Sequence, residues 1–325
     1  MVVVVLTGAC TSKAAPTLRA LSVTAVYTIP TPTSHPAGIA AGPDGYLWFV
    51  ETAGNKVAKM SSSGLVIEYL VPTVKAFVPP LSGGTAPGYI AAGRGGELWF
   101  TEYGGNNVAK VTASGEITEH PIPSANAYPE AITLGPDGNI WFTESGTDKV
   151  AKVTPSGAIT EYPTSRGAVP HGITAGPDGN IWITENGSGQ VARVTTAGVV
   201  TEYQVPGDGR PGEIAAGSDG ALWFTEWSGS TPTVARITTS GTVTEFTIPE
   251  GGIPVGYPLF IAAGPDGNLW FTMNTCDWLG RVTTSGVFTA FTHSEEQCGS
   301  AITSAPDGYM WMVGGNELVK FAPNQ

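Results

Sequence analysis

The sequence has few basic residues and no cluster of them. Lysine and arginine total 15 against 27 aspartates and glutamates, which gives a formal net charge of −12. Without a basic stripe to neutralise phosphates, nucleic acid and an anionic membrane surface are excluded as partners. No stretch shows the apolar stripe of a helix. The familiar catalytic motifs are also missing, since the chain has no HExxH, Walker loop, CxxC or Ser-His-Asp order.

A tryptophan recurs seven times in nearly the same local sequence. Successive copies lie 51, 42, 41, 41, 47 and 41 residues apart. The seven residues are Trp48, Trp99, Trp141, Trp182, Trp223, Trp270 and Trp311. A period of about 40 residues indicates a repeat architecture, so we interpret the chain as one continuous repeat domain. Because the tryptophan is kept in every unit, we interpret the series as core and not as a set of rings that stack on a sugar or base.

Each repeat contains four short apolar or β-branched runs bounded by Gly, Pro, Asp or Asn. In the fourth copy these runs are 173–175, 181–185, 191–194 and 199–203. Such runs are typical of short strands joined by tight turns. Four strands in each repeat of about 40 residues form the pattern of a β-propeller blade.

The two ends of the repeat region complement each other. Val23 to Pro30 resembles the fourth strand of a blade, as in Thr242 to Pro249, while the chain ends after a third strand, Leu318 to Phe321. Pairing these ends leaves no free edge. The sequence therefore predicts an all-β fold, a seven-bladed β-propeller of four-stranded blades over residues 23–325, with the N-terminal strand closing the last blade.

The first 22 residues do not follow the repeat. Met1 to Leu6 is apolar, Cys10 follows, and residues 11–21 are polar without a strand pattern. This arrangement resembles a bacterial lipoprotein signal with a lipidated cysteine. It predicts an exported protein, secreted or lipid-anchored at the bacterial cell envelope, with residues 1–22 as leader and linker and membrane contact only through the lipid. The alternative is a disordered cytoplasmic leader.

The other two cysteines, Cys276 and Cys298, both fall in predicted loops of blade six. In a propeller the loops after the second and fourth strands lie on one face, so these two side chains could meet there. A disulfide between them would agree with export. Two unpaired thiols are the alternative.

Ligand sites of propellers usually lie at the mouth of the central channel, on the face with those loops. Residues at the mouth that differ from blade to blade are the better functional candidates. His171 follows the opening proline of blade four and is the candidate general base, because histidine titrates near neutral pH. Glu130 belongs to the adjacent blade, and His35 is expected close to the mouth. The alternative for His171 is a solvated or hydrogen-bonded polar residue.

Long loops between blades one and two and around blade five are expected to form the walls of a groove at this mouth. Aromatic residues are available there, which favours an apolar organic or cyclic peptide ligand. The expected ligand-binding residues are His35, Glu130, Tyr103, Trp227 and Tyr257. A protein that docks on the same face is the alternative, and the chain would then be a non-catalytic scaffold. We expect a monomer.

A glutamate ends the second strand in five blades. The series is Glu51, Glu102, Glu144, Glu185 and Glu226. A residue kept in most blades has an architectural role, such as bonding to backbone donors. The alternative is that Glu144 and Glu185 bind a divalent ion, Mg²⁺ or Ca²⁺, because these ions prefer several carboxylate oxygens.

The segments GPDGNIWFTE and KVAKVTPSGAITEYP resemble the virginiamycin B lyase family, also called streptogramin lyases. The resemblance covers residues 23–321 and implies a seven-bladed propeller. It further implies an enzyme that opens a cyclic depsipeptide antibiotic by elimination at its ester bond. In that family a histidine acts as the base, and glutamates hold a magnesium ion.

The positions that the resemblance assigns to catalysis are changed in this chain. Asn274 occupies the place of a metal-binding glutamate, and Tyr257 and Leu259 replace the Glu-Pro-His that opens the same blade. Gly212 occupies the place of a substrate-binding histidine. His171 keeps a Pro-His-Gly motif two blades earlier. We therefore expect a ligand-binding relative, with a metal-dependent C–O lyase that uses a relocated site around His171 as the alternative.

Overall fold

The computed structural model describes residues 17–74, 88–249, 256–275, 278–292 and 299–323. These segments form 29 strands in seven sheets, and they contain no helix that could cross a membrane. Cys10, Cys276 and Cys298 lie outside the described residues, so lipidation and the disulfide stay predictions.

The first four blades each use four consecutive strands, ordered from the axis outward. Blade one consists of β3 (Pro36–Ala41), β4 (Leu47–Glu51), β5 (Lys56–Met60) and β6 (Val66–Leu70). Blade two consists of β7 (Ile90–Ala92), β8 (Leu98–Glu102), β9 (Asn107–Val111) and β10 (Ile117–Pro121). Blade three consists of β11 (Pro129–Leu134), β12 (Ile140–Glu144), β13 (Lys149–Val153) and β14 (Ile159–Pro163). Blade four consists of β15 (Pro170–Ala175), β16 (Ile181–Glu185), β17 (Gln190–Val194) and β18 (Val200–Gln204).

The last three blades include both strands from the N-terminal region. Blade five consists of β19 (Pro211–Ala216), β20 (Leu222–Glu226), β21 (Thr233–Ile237) and β22 (Val243–Thr247). Blade six consists of β23 (Pro258–Ala263), β24 (Leu269–Met273), β25 (Trp278–Val282), β26 (Phe288–Thr292) and, outermost, β1 (Thr17–Ala20). Blade seven consists of β27 (Gly299–Ser304), β28 (Met310–Gly314), β29 (Glu317–Phe321) and β2 (Val23–Thr28).

The blades form a closed ring. Their innermost strands contact one another in order, and the last of them, β27, contacts the first, β3. Strand β2 pairs antiparallel with β29, with Val26 opposite Val319 and Thr28 opposite Glu317. The prediction of a seven-bladed propeller closed by its N-terminal strand is confirmed.

The repeated tryptophans form the core between the blades. Six are completely buried and Trp311 is 3% exposed. Each ring stacks on an aromatic ring from the fourth strand of its own blade, counted from the axis, at centroid distances of 4.9 to 5.9 Å. In five blades the indole N–H donates a hydrogen bond to the turn aspartate four residues earlier, as Trp141 does to Asp137 at 3.0 Å. This bond explains the fixed spacing between the Gly-Pro-Asp-Gly turn and the tryptophan.

The interpretation of residues 11–21 as a stretch without strand structure was wrong for Thr17–Ala20. These residues form β1, which pairs in parallel with β26 and places Thr17 opposite Thr289. Leu21, directly after β1, is buried between blades six and seven. A run of four residues is too short for its alternation of polarity to indicate a strand, and the edge of β26 supplies the pairing instead. That edge is unusually apolar, because Phe288, Ala290 and Phe291 are all buried.

Removal of residues 1–20 is expected to uncover β26 and to promote association through its open edge. The truncated protein should form concentration-dependent oligomers and lose about 1–2 kcal/mol of unfolding free energy, because an apolar edge strand is then exposed. Size-exclusion chromatography with light scattering, combined with urea denaturation, measures both effects. Removal of residues 1–16, which keeps β1, is the control and should leave the protein unchanged. Identical behaviour of the two truncations would contradict a protective role for β1.

Candidate functional site

Short bulges in the innermost strands turn polar side chains into the central channel. In blades three, four and five the pairing register shifts by one residue directly after the opening proline. A bulge inserts one extra residue and re-aims the side chains beside it. Glu130, His171 and Glu213 all lie within these three bulges, so residues from three neighbouring blades meet at the axis.

His171 lies between two carboxylates. Its Nε2 atom is 2.9 Å from Oε2 of Glu130, and its Nδ1 atom is 3.2 Å from Oε1 of Glu213. All three side chains are only 10% exposed. Among the described residues, neither Nδ1 of His171 nor Oε2 of Glu130 makes a well-aligned hydrogen bond.

Two aromatic residues complete this group. The Tyr89 hydroxyl donates a hydrogen bond to Oε1 of Glu213. The Trp227 ring meets the His171 ring edge to face, with centroids 4.3 Å apart, and its indole N–H donates to the Leu259 carbonyl at 3.2 Å. We call Tyr89, Glu130, His171, Glu213 and Trp227 the channel cluster.

The carboxylates of Glu130 and Glu213 determine the charge state of His171. Burial lowers the pKa of His171, but the charges and contacts of Glu130 and Glu213 outweigh burial and raise the pKa to about 10. The ring is therefore an imidazolium at neutral pH, without a free lone pair to accept a proton. Burial and the same two carboxylates raise the pKa of Tyr89 well above its usual value, so its hydroxyl remains a donor.

The remaining predicted mouth residues have different surroundings. Tyr103 stacks on Tyr128 with centroids 5.0 Å apart, and burial followed by the charge of Glu130 raises its pKa. The Tyr257 hydroxyl donates to the Gly229 carbonyl at 2.9 Å. His35 is exposed, and its carbonyl accepts hydrogen bonds from Thr52. Of the five predicted ligand-binding residues, the structure brings Glu130 and Trp227 to His171.

Three residues just before opening prolines have left-handed backbones. His35, Tyr128 and Val169 have φ values of 48°, 47° and 47°. All three side chains are exposed at the mouth. This conformation is uncommon for residues other than glycine and is an outlier for a β-branched residue such as Val169. Backbone strain of this kind clusters at ligand sites.

The two glutamates predicted to bind a metal are completely buried at the ends of separate second strands. Oε2 of Glu144 accepts a hydrogen bond from Thr147 at 2.8 Å, and Oε2 of Glu185 accepts one from Ser188 at 3.3 Å. Burial raises the pKa of each to about 7. Within the part of the chain that the structure describes, no group of three or more His, Cys, Asp or Glu residues is arranged to hold a metal ion. The metal role of Glu144 and Glu185 stays a prediction.

The residues at the metal positions implied by the resemblance do not fit a magnesium ion. Tyr257 and Leu259 supply no carboxylate, and the Asn274 Oδ1 atom already accepts a hydrogen bond from the Tyr257 backbone at 2.7 Å. Hard divalent cations require several carboxylate or carbonyl oxygens. We therefore derive no catalytic step through a metal at these positions.

Sequence reasoning missed Tyr89 and Glu213, although a signal for both was present. They stand two residues after the opening proline, where several other blades have the small residues Gly38, Ala131 and Gly172. The prediction rested on the residues next to the proline and at the end of the second strand. In blade five the extra residue of the bulge, which the sequence pattern does not show, turns the second position into the channel.

The fold and the channel cluster define a closed seven-bladed β-propeller whose polar site lies on the axis. A sequence profile of the virginiamycin B lyase family matches residues 73–231 and 208–322. The chain belongs to this family. A virginiamycin B lyase from Nocardia farcinica is 33% identical over 96 residues, which are 30% of this chain. The matched segment spans 31% of that relative, under a third of its length.

Solved structures show the same relationship over nearly the whole chain. A streptogramin B lyase structure has a TM-score of 0.83 and 33% identity, covering 91% of this chain and 96% of that chain. Virginiamycin B lyase from Staphylococcus aureus has a TM-score of 0.83 and 30% identity, covering 92% of this chain and 98% of that one. A catalytically inactive histidine-to-alanine variant of the latter, solved with quinupristin, has a TM-score of 0.81 and 30% identity over the same shares.

Proposed function

We propose that this protein is an extracytoplasmic, ligand-binding member of the virginiamycin B lyase family that takes an organic or cyclic peptide ligand at the channel mouth. The leading observation is the charge state of His171, which lies between Glu130 and Glu213 with a pKa of about 10. A protonated, doubly paired ring anchors the site electrostatically and does not abstract a proton near neutral pH. The leader sequence supports export.

The aromatic residues of the mouth favour a ligand with large apolar or ring-shaped groups. Trp227 is partly exposed beside His171, and the stacked pair of Tyr103 and Tyr128 lies near Glu130. Aromatic side chains give large contact areas and stack on flat groups. The strained backbones of Tyr128 and Val169 hold their side chains at the rim in fixed directions.

Metal-dependent lyase activity on a cyclic ester is the second candidate. The observation that favours it is the whole-chain similarity to an inactive lyase variant solved with quinupristin. Against it stand the substituted positions Gly212, Leu259 and Asn274 and the protonated state of His171. General base catalysis is worth about 10²- to 10⁴-fold in rate, so its loss would leave little turnover.

Quinupristin is the probe that separates these functions. Calorimetric titration is expected to show binding to the wild-type protein, and Tyr103→Ala should weaken it about fivefold, since aromatic contacts contribute about 1 kcal/mol each. Tyr46→Ala, at a tyrosine in the strand-one to strand-two turn of blade one, is the matched control and should bind within twofold of wild type. Mass spectrometry after incubation with Mg²⁺ or EDTA reports turnover. Mg²⁺-dependent loss of the ester would establish the lyase, and no binding at millimolar quinupristin would overturn the cyclic peptide proposal.

A further inference from the structure

The turn between the first two strands of blade two departs from the repeat. In five other blades an aspartate in this turn forms an ion pair with a basic residue of the third strand, at 2.6 to 3.8 Å. The pairs are Asp44 with Lys59, Asp137 with Lys152, Asp219 with Arg236, Asp266 with Arg281 and Asp307 with Lys320. Blade two has Gly93-Arg94-Gly95-Gly96 in place of Gly-Pro-Asp-Gly. It has therefore lost the acidic partner and gained a second cation.

Lys110 is the basic residue that loses its partner. Its ammonium lies over the Trp99 ring, 5.6 Å from the centroid, as the equivalent lysines do over their tryptophans. Its polar contact is the Pro155 carbonyl of blade three at 3.5 Å. Within the described segments no carboxylate forms an ion pair with Lys110. Its charge is thus available to a ligand.

Arg94 provides the second cation. Its side chain is exposed and extends toward the turn of blade three, where Nη1 lies 3.2 Å from the position that a Cβ on Gly138 would occupy. Gly138 has a φ of 79° and no side chain, which leaves room for this close approach. Arg94 likewise forms no ion pair among the residues that the structure describes.

Both cations line one surface cavity of about 580 Å³. Thr112 and Pro155 also line it, as does one acidic residue, Glu97. Oε1 of Glu97 accepts the indole N–H of Trp99 at 3.2 Å, the role that the turn aspartate has in five other blades. The formal charge of Arg94, Lys110 and Glu97 together is +1, on a protein whose net charge is −12. The cavity is therefore a local exception to an acidic chain.

We propose that this cavity binds an oxyanion, with its oxygens between the guanidinium of Arg94 and the ammonium of Lys110. Arginine presents paired N–H donors that match the oxygens of phosphate, sulfate or carboxylate, and lysine adds a point charge. The cavity is formed by the turns on the face opposite the channel mouth. Its ligand is therefore separate from the ligand proposed for the channel.

Calorimetric titration with inorganic phosphate, sulfate and citrate tests this site and distinguishes phosphate from carboxylate ligands. At least one of these anions is expected to bind one saturable site with a millimolar Kd, and Arg94→Gln and Lys110→Gln should each weaken it about fivefold or more. Lys320→Gln removes the same charge from the intact pair with Asp307 and is the matched control, expected within twofold of wild type. Thermal unfolding confirms that each variant is folded. Absence of saturable binding for all three anions, or equal binding by both site variants and wild type, would overturn the proposal.

Discussion

Replacement of His171 by alanine is expected to lower the free energy of unfolding by about 3–5 kcal/mol, because it leaves two buried carboxylates without a counter-charge. Glu130 and Glu213 are each within 3.2 Å of the ring, and both are buried. Urea denaturation at neutral pH measures the loss. The stabilising contribution of His171 is fully present below the ordinary histidine pKa of 6.5, and it is lost as the pH rises through about 10.

Two further variants separate charge from packing in this experiment. The triple variant His171→Ala, Glu130→Gln, Glu213→Gln removes the unpaired charges and should recover most of the lost stability. His120→Ala removes a histidine that stacks on Trp99 at 5.5 Å without an ion pair to a carboxylate among the described residues, and it should cost about 1 kcal/mol. If His171→Ala costs no more than His120→Ala, the ring is not the charged centre of the channel cluster.

The stability of the propeller is expected to fall by several kcal/mol as the pH rises from about 5 to about 8.5. Burial is the largest cause of a raised pKa in the five glutamates that end second strands. It raises the pKa of Glu102 from 4.5 to about 8, and it raises the pKa of Glu51, Glu144, Glu185 and Glu226 to about 7. The folded state then binds more protons than the unfolded state between pH 4.5 and these values, so stability is greatest at the acidic end and is lost as the glutamates ionise.

Carboxylates whose pKa is lowered affect stability mainly outside this pH window. Hydrogen bonds and charges outweigh burial and lower the pKa of carboxylates such as Glu68 and Asp137, whose stabilisation is lost only at more acidic pH. Burial lowers the pKa of His120, so among the described residues His120 favours stability at higher pH within the window. The stability that His171 contributes falls with rising pH, as does the stability that the buried glutamates contribute.

A single glutamate variant checks the origin of the pH dependence. Urea denaturation across the pH range should show that Glu185→Gln removes about a fifth of the decline and raises stability at about pH 8.5. Glu116→Gln, at an exposed glutamate in a turn, is the matched control and should leave the profile unchanged. A flat or rising profile for the wild-type protein would contradict ionisation of buried glutamates as the cause.

The sequence predicted the ring and its closure because both depend on periodicity. The tryptophan spacing predicted seven blades, and the similarity of Val23–Thr28 to an outer strand predicted the pairing with β29 that the structure has. The strand Thr17–Ala20 could not be predicted in this way. Its pairing depends on the apolar outer edge of blade six, which is a property of the folded surface and not of the local sequence.

The candidate site was predictable only in part. His171 and Glu130 stood out as variable residues beside the opening proline, and Trp227 was expected among the aromatic residues of the mouth. The second carboxylate, Glu213, required knowledge of the bulge that turns it into the channel. The charge state of His171 depends on two partners from neighbouring blades, which the sequence does not place beside the ring. Burial of Glu144 and Glu185 is likewise a result of blade packing.

The pairing of β2 with β29 has a consequence during biosynthesis. Thr28 is among the first propeller residues to leave the ribosome, and its partner Glu317 is among the last. Contacts between such distant residues form slowly, and an unpaired strand can meanwhile join other chains. The seventh blade therefore forms only after β29 has been synthesised, and β2 remains without its partner until then.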